Sequence, residues 1–162
     1  MDIYKMPGHL IRRLNQISVA LFTDRIAGAG LTLTPVQFAA LSAIRTHPGI
    51  DQATVAGLVA YDRATMGKVI DRLEGRGLVR RTTSVTDRRA KELTLTDQGQ
   101  VLFETAQPHV RALQPDILTG LDAEERRTFL ALLDKATLAG NELSRAPLEA
   151  HIDTPDAKGT RR

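Results

Sequence analysis

The sequence predicts a mainly α-helical chain with one small β-hairpin, and three features of the residues carry that expectation. Apolar side chains recur at helical spacing through most of the chain, and Thr, Asp and Pro stand where helices would begin. A single pair of short β-compatible runs, Leu78 to Thr82 and Lys91 to Leu95, flanks a charged loop. Aromatic residues make up 4% and Trp is absent, so the core has to be built from Leu, Val, Ile and Ala, which suits helices.

From Leu10 to Ile26 the apolar positions Leu10, Leu14, Ile17, Leu21 and Phe22 mark a long amphipathic helix that Gly28 and Gly30 stop. Thr34, Pro35 and Gln37 form a capping-box signature for a second helix, Pro35 to Thr46, ended by His47, Pro48 and Gly49. Asp51 caps a short third helix, Gln52 to Val59, with Val55, Leu58 and Val59 directed inward. Asp62 caps a fourth, in which Met66, Val69, Ile70 and Leu73 form one apolar stripe and Gly75 and Gly77 end the turn.

After the strand pair, Thr96 caps a long helix through Val101, Leu102, Phe103 and Ala106, with Pro108 expected as a kink or break and Pro115 posing the same question. Asp122 and Glu125 have capping-box spacing for a last helix through Phe129, Leu132, Leu133, Ala136 and Leu143. Periodicity is lost from about Arg145. The expected organisation is an N-terminal helix (1–30), a unit of three short helices and the hairpin (31–99), C-terminal helices (100–145) and a flexible tail (146–162).

Composition excludes several functions. With no Cys among 162 residues, disulfides, thiolate metal sites and sulfur-based redox sensing have no chemistry to work with. His9, His47, His109 and His151 are scattered without metal-ligand spacing, and no glycine-rich phosphate loop is present, so neither an enzyme nor a metal or cofactor is expected. No apolar run is long enough to span a membrane, and a cytoplasmic location is expected. The net charge of +3 is modest, but Arg76, Arg80, Arg81, Arg88, Arg89 and Lys91 face only Asp87 within one short stretch, a pattern suited to a polyanion.

Two short helices joined by a tight turn and followed by a basic-tipped hairpin form a winged helix-turn-helix. The second helix of such a pair fits the DNA major groove, where base edges present a distinguishable pattern, and the wing reaches an adjacent minor groove. Opposite the apolar stripe of the fourth helix lie Ala64, Thr65, Lys68, Asp71 and Arg72, with Arg63 in the first turn. Arg63 suits a guanine edge, Thr65 a thymine methyl or a phosphate, Lys68 a base edge or a backbone oxygen, and Arg72 a phosphate. Ala64 and Gly67 are small enough for close approach to a duplex.

The stretch ATMGKVIDRLEGRGLVRRTTSVTDRRAKELTLTDQG resembles the recognition helix and wing of the MarR family. The resemblance is carried by Leu73, Gly77, Leu78 and Val79, by a D-x-R wing at Asp87 and Arg89, and by L-T-x-x-G at Leu95, Thr96 and Gly99, and it extends over about residues 8 to 145. It implies that Arg89 or its neighbour Arg88 enters a minor groove, with Asp87 orienting the arginine.

The resemblance also implies a homodimer on a pseudo-palindromic double-stranded DNA operator, a repressor's role, and release by a small aromatic carboxylate, hydroxylated nicotinate among the candidates. His9, Arg13 and Gln16 on one side of the first helix can meet such a carboxylate, with Phe38 or Tyr61 as apolar wall. A winged helix used as a protein-interaction module is the competing reading, because a fold does not dictate a function.

Overall fold

The computed structural model describes residues 2–84 and 91–149. Among these, the α-helices are α1 (Pro7–Gly28), α2 (Pro35–Thr46), α3 (Gln52–Leu58), α4 (Arg63–Gly75), α5 (Asp97–Ala112), α6 (Gln114–Ile117) and α7 (Ala123–Ala139), with strands β1 (Val79–Thr83) and β2 (Lys91–Leu95) between α4 and α5. No described helix is long and apolar enough to cross a membrane.

The capping residues act as their positions suggest. Thr34 and Gln37 exchange bonds at the start of α2, Asp122 and Glu125 do so at α7, and Asp51, Asp62 and Thr96 each accept a backbone N–H from the helix they open. Several boundaries move, among them that of β1, which runs Val79–Thr83 instead of Leu78 to Thr82. Helix α1 begins earlier, with Pro7 in its first turn, and α3 ends one residue sooner, with Val59 as its cap. Helix α7 stops at Ala139, so Leu143 lies in a separate turn of 3₁₀ helix, Asn141–Leu143.

Pro108 neither kinks the chain out of helix nor ends it, because α5 continues to Ala112. Proline at position 108 has no N–H to give the Glu104 carbonyl, and both residues are exposed. Pro115 opens the short helix α6.

One core runs through the reading unit. Ile44, Leu41, Val55, Met66, Ile70, Leu73, Leu78 and Leu93 are fully buried, and Phe22, Ile26, Phe103 and Leu113 extend that core into α1 and α5. All four residues of the α4 stripe are buried. Strands β1 and β2 pair antiparallel with Val79 opposite Leu95 and Thr83 opposite Lys91. The turn after α2 adds a third, one-residue edge: Leu93 donates to the Ile50 carbonyl and Gly49 to the Leu93 carbonyl, both at 2.9 Å.

The two halves of the G-L-V and L-T-x-x-G pattern meet in space. Gly77 adopts φ +70°, which favours glycine, and turns the chain so that its carbonyl accepts the Thr96 hydroxyl while the Leu78 carbonyl accepts the Thr96 N–H at 3.1 Å. Gly99 packs so closely on Leu78 that a Cβ there would fall well inside contact distance of the Leu78 carbonyl oxygen. Hairpin and α5 are locked to the end of α4 through this contact.

The chain through Glu149 departs from the expected tail. Residues Asn141 to Glu149 fold back onto α3, where the Glu149 amide donates to the Gly57 carbonyl at 2.9 Å.

Candidate nucleic-acid interface

Helix α4 turns one face to the core and the other to solvent, and the outward face holds the residues that a duplex would meet. Asp62 sets its start: Thr65 donates its backbone N–H to the Asp62 carboxylate at 2.8 Å. Hydrogen bonding from Thr65, by its hydroxyl first and its amide second, holds the Asp62 carboxyl below the ordinary aspartate range. Arg63, Ala64, Lys68 and Arg72 are exposed and Thr65 is half-buried. Among the described residues no carboxylate pairs with Arg63, Lys68 or Arg72.

Two residues of this face do other work. Asp71 does not project freely, because Arg81 of β1 binds it at 2.7 Å, binds Glu74 at 2.9 Å, and reaches Gln52 of α3 at 3.1 Å. One guanidinium thus joins the hairpin to both helices of the pair and offsets part of the charge of two carboxylates beside the outward face of α4. Gly67 faces α3 as well: a Cβ there would lie 3.0 Å from the Gln52 side-chain nitrogen. The close approach is of α3 to α4, with Gln52 in turn held by Arg81. Arg81 and Gln52 were legible only as one more basic residue and a helix start, since their meeting depends on the fold.

Arg72 stands at the other end of α4. Together with Arg76 it lines a groove against Thr32 and Thr34, a set of two cations and two hydroxyls that suits a phosphate. Arg76 belongs with the recognition residues for that reason, and its place in the basic stretch was the only signal for it. Asp87, Arg88 and Arg89 lie outside the described residues.

The five residues named for an effector do not gather at one place. His9 is half-buried with Tyr4 edge-on at 5.7 Å, Arg13 is exposed, and Gln16 accepts from Arg12 at 2.9 Å. Phe38 is part of the core stack, 4.9 Å from Phe103 and 6.2 Å from Phe22, with Arg45 over the Phe103 ring. Tyr61 sits at the α3–α4 turn, so it is part of the reading end and not a wall for α1. Apolar residues instead line a groove of about 340 Å³ between α1, α6 and α7, with Leu10, Leu14, Ile117, Phe129 and Leu133 in its walls and Asn15 and Ser18 as polar lining residues. None of the five named residues lines it.

Comparison with known proteins agrees with this geometry. The MarR family matches residues 33–91, from the end of the α1–α2 loop to the first residue of β2. The transcriptional repressor NicR of Pseudomonas putida is 33% identical over 134 residues, covering 83% of this chain and 84% of NicR. Among solved structures, BpsR of Bordetella bronchiseptica, whose DNA binding is regulated by 6-hydroxynicotinic acid, is 34% identical with a TM-score of 0.76, over 82% of this chain and 94% of BpsR. The repressor CouR, solved on a 23-mer DNA duplex, is 33% identical with a TM-score of 0.72, over 85% of this chain and 95% of CouR.

Proposed function

The chain belongs to the MarR family of DNA-binding transcriptional regulators, and from that premise we propose that it is a homodimeric repressor that reads a pseudo-palindromic operator and is released by a small aromatic carboxylate. The observation that carries the reading is the face of α4: three cations that have no carboxylate partner among the described residues stand outside a stripe that is wholly buried, and Arg81 takes the two carboxylates that would repel a phosphate backbone. Arg63, Ala64, Thr65 and Lys68 enter the major groove, and Arg72 with Arg76 holds the backbone. Asp87 and Arg89, or Arg88, serve the minor groove as in the family pattern. The work is binding, without turnover, and takes place in the cytoplasm where the duplex is.

Dimerisation is supported by what one copy leaves uncovered. Leu10, Ile11 and Ile17 of α1 and Leu130, Leu132 and Leu138 of α7 are each 46% exposed or more, and α7 buries no residue at all. The buried Nε of Arg126 on α7 has no partner among the described residues. A twofold dimer through these helices sets two copies of α4 roughly 34–36 Å apart, one turn of the duplex.

BpsR directs the effector reading toward 6-hydroxynicotinate, and the apolar groove between α1, α6 and α7, with Asn15 and Ser18 as its polar lining residues, is the place we assign to such a ligand. Such a ligand releases DNA only by binding the DNA-incompetent spacing more tightly.

The test is duplex binding to the DNA beside its own gene, titrated with salt. Affinity is expected to fall on the order of a thousandfold between 50 and 200 mM salt for about 6 phosphate contacts. An interaction module would show no duplex affinity to lose. Within that assay Lys68→Ala is expected to weaken binding by about tenfold and to change the preferred base at one position in each half-site; a loss equal on all operator variants would move Lys68 to the backbone.

A further inference from the structure

We propose that Arg145 is an additional contact to the DNA backbone, carried to the start of the recognition helix by a strap formed from residues Asn141 to Glu149. The proposal rests on the reading of α4 as the recognition helix and adds to it a residue beyond the winged unit.

The strap is built by specific bonds. Its loop is closed by one side chain: the Leu148 amide donates to the Asn141 Oδ1 at 2.8 Å, and the Asn141 Nδ2 donates to the Leu148 carbonyl at 3.2 Å. The amide of Asn141 thereby stands in for the backbone of a neighbouring strand. The next residue anchors the loop, since the Glu149 N–H donates to the Gly57 carbonyl at the end of α3.

Gly57 is buried, and a Cβ there would lie 2.8 Å from the Glu149 Oε2 and 2.9 Å from the Glu149 Cβ, so a seat for the strap exists only because position 57 has no side chain. Ala146 and Pro147 are half-buried, with Pro147 restricting the backbone between the two anchors.

What this seat does is place a cation. Arg145, Ala146 and Pro147 face Tyr61, Asp62 and Arg63 across a shallow groove. The Glu149 carboxylate packs against Gly57 and, like Asp62, lines the same groove, yet Arg145 is exposed and, among the described residues, forms no ion pair with either. A guanidinium beside the first turn of a helix that occupies the major groove meets the phosphates flanking that groove, not the base edges inside it. Because both ends of the loop are already bonded, little ordering entropy is left to lose on contact.

Three variants of the full chain test this by duplex titration over a range of salt. Arg145→Ala is expected to weaken binding about three- to tenfold, equally on all operator variants, and to lower the slope of log K against log salt by about 1. Asn141→Ala, which opens the loop without touching DNA, is expected to give a similar loss and to add nothing further in the Arg145→Ala background. An unchanged slope in Arg145→Ala overturns the contact, and additive losses overturn the role of the strap in placing it. Arg63→Ala run in parallel separates the two levels: if it weakens binding while Arg145→Ala does not, only the present proposal falls, and if neither does, the reading of α4 falls with it.

Discussion

Gly99→Ala is expected to destabilise the reading unit by about 3 kcal/mol, lowering the melting temperature on the order of 10 °C. The added methyl would be driven into the Leu78 carbonyl oxygen, and neither partner can yield. Leu78 is fixed on one side by the hydrogen bond that its N–H donates to the Leu73 carbonyl and on the other by the Thr96 N–H that its own carbonyl accepts. Gly99 is itself buried in the first turn of α5, just after the Thr96 cap. Relief would require separating α5 from the α4–β1 junction, which opens the core around Leu78, Leu93 and Phe103. Thermal unfolding checks it, and a melting point within about 2 °C of the parent would show that the junction is looser than its bonds imply.

Arg81→Ala has its largest expected effect on DNA binding, with a smaller one on folding. Its ion pairs are partly screened, the Asp71 side chain being 63% exposed and that of Glu74 39%, so their loss is expected to cost only about 1 kcal/mol of stability. The consequence for a duplex is greater. Without Arg81 the hairpin loses its bonds to both helices of the pair, and Asp71 and Glu74 are left as free negative charges beside Lys68 and Arg72.

Operator affinity is expected to drop about tenfold to a hundredfold, with the dimer intact. Arg81→Lys is not expected to restore it, since one ammonium cannot reproduce a fork that serves three acceptors. Neutralising both carboxylates in the Arg81→Ala background divides the effect: full recovery would mean that repulsion alone was lost and that Arg81 does not position the hairpin. A shift assay beside circular dichroism reads both.

What was legible in the residues was whatever is decided within a few positions along the chain. Caps at Thr34, Asp51, Asp62, Thr96 and Asp122 and the stripe of Met66, Val69, Ile70 and Leu73 are local signals, and each acts as its spacing implies. Contacts between distant segments were not legible. Asp71 reads as part of a DNA-facing surface until Arg81 is seen on it, and nothing local to Gly67 shows that Gln52 of α3 stands beside it. Phe38 and Tyr61 both read as pocket walls from sequence, yet one is stacked on Phe103 and the other lies at the α3–α4 turn. Pro108 reads as a kink or break, yet α5 runs on past it to Ala112.

Chain order and patterning alone were enough for the helix–turn–helix with its hairpin, the cationic face of the fourth helix and the family to which it belongs, because hydrophobic period and capping chemistry act over neighbouring residues. Three-dimensional packing was needed for the rest: the Arg81 hub, the Gly77–Leu78 junction with Thr96 and Gly99, and the docking of Glu149 on Gly57. Those interactions join residues far apart in the chain, and their geometry exists only once the core has brought the segments together.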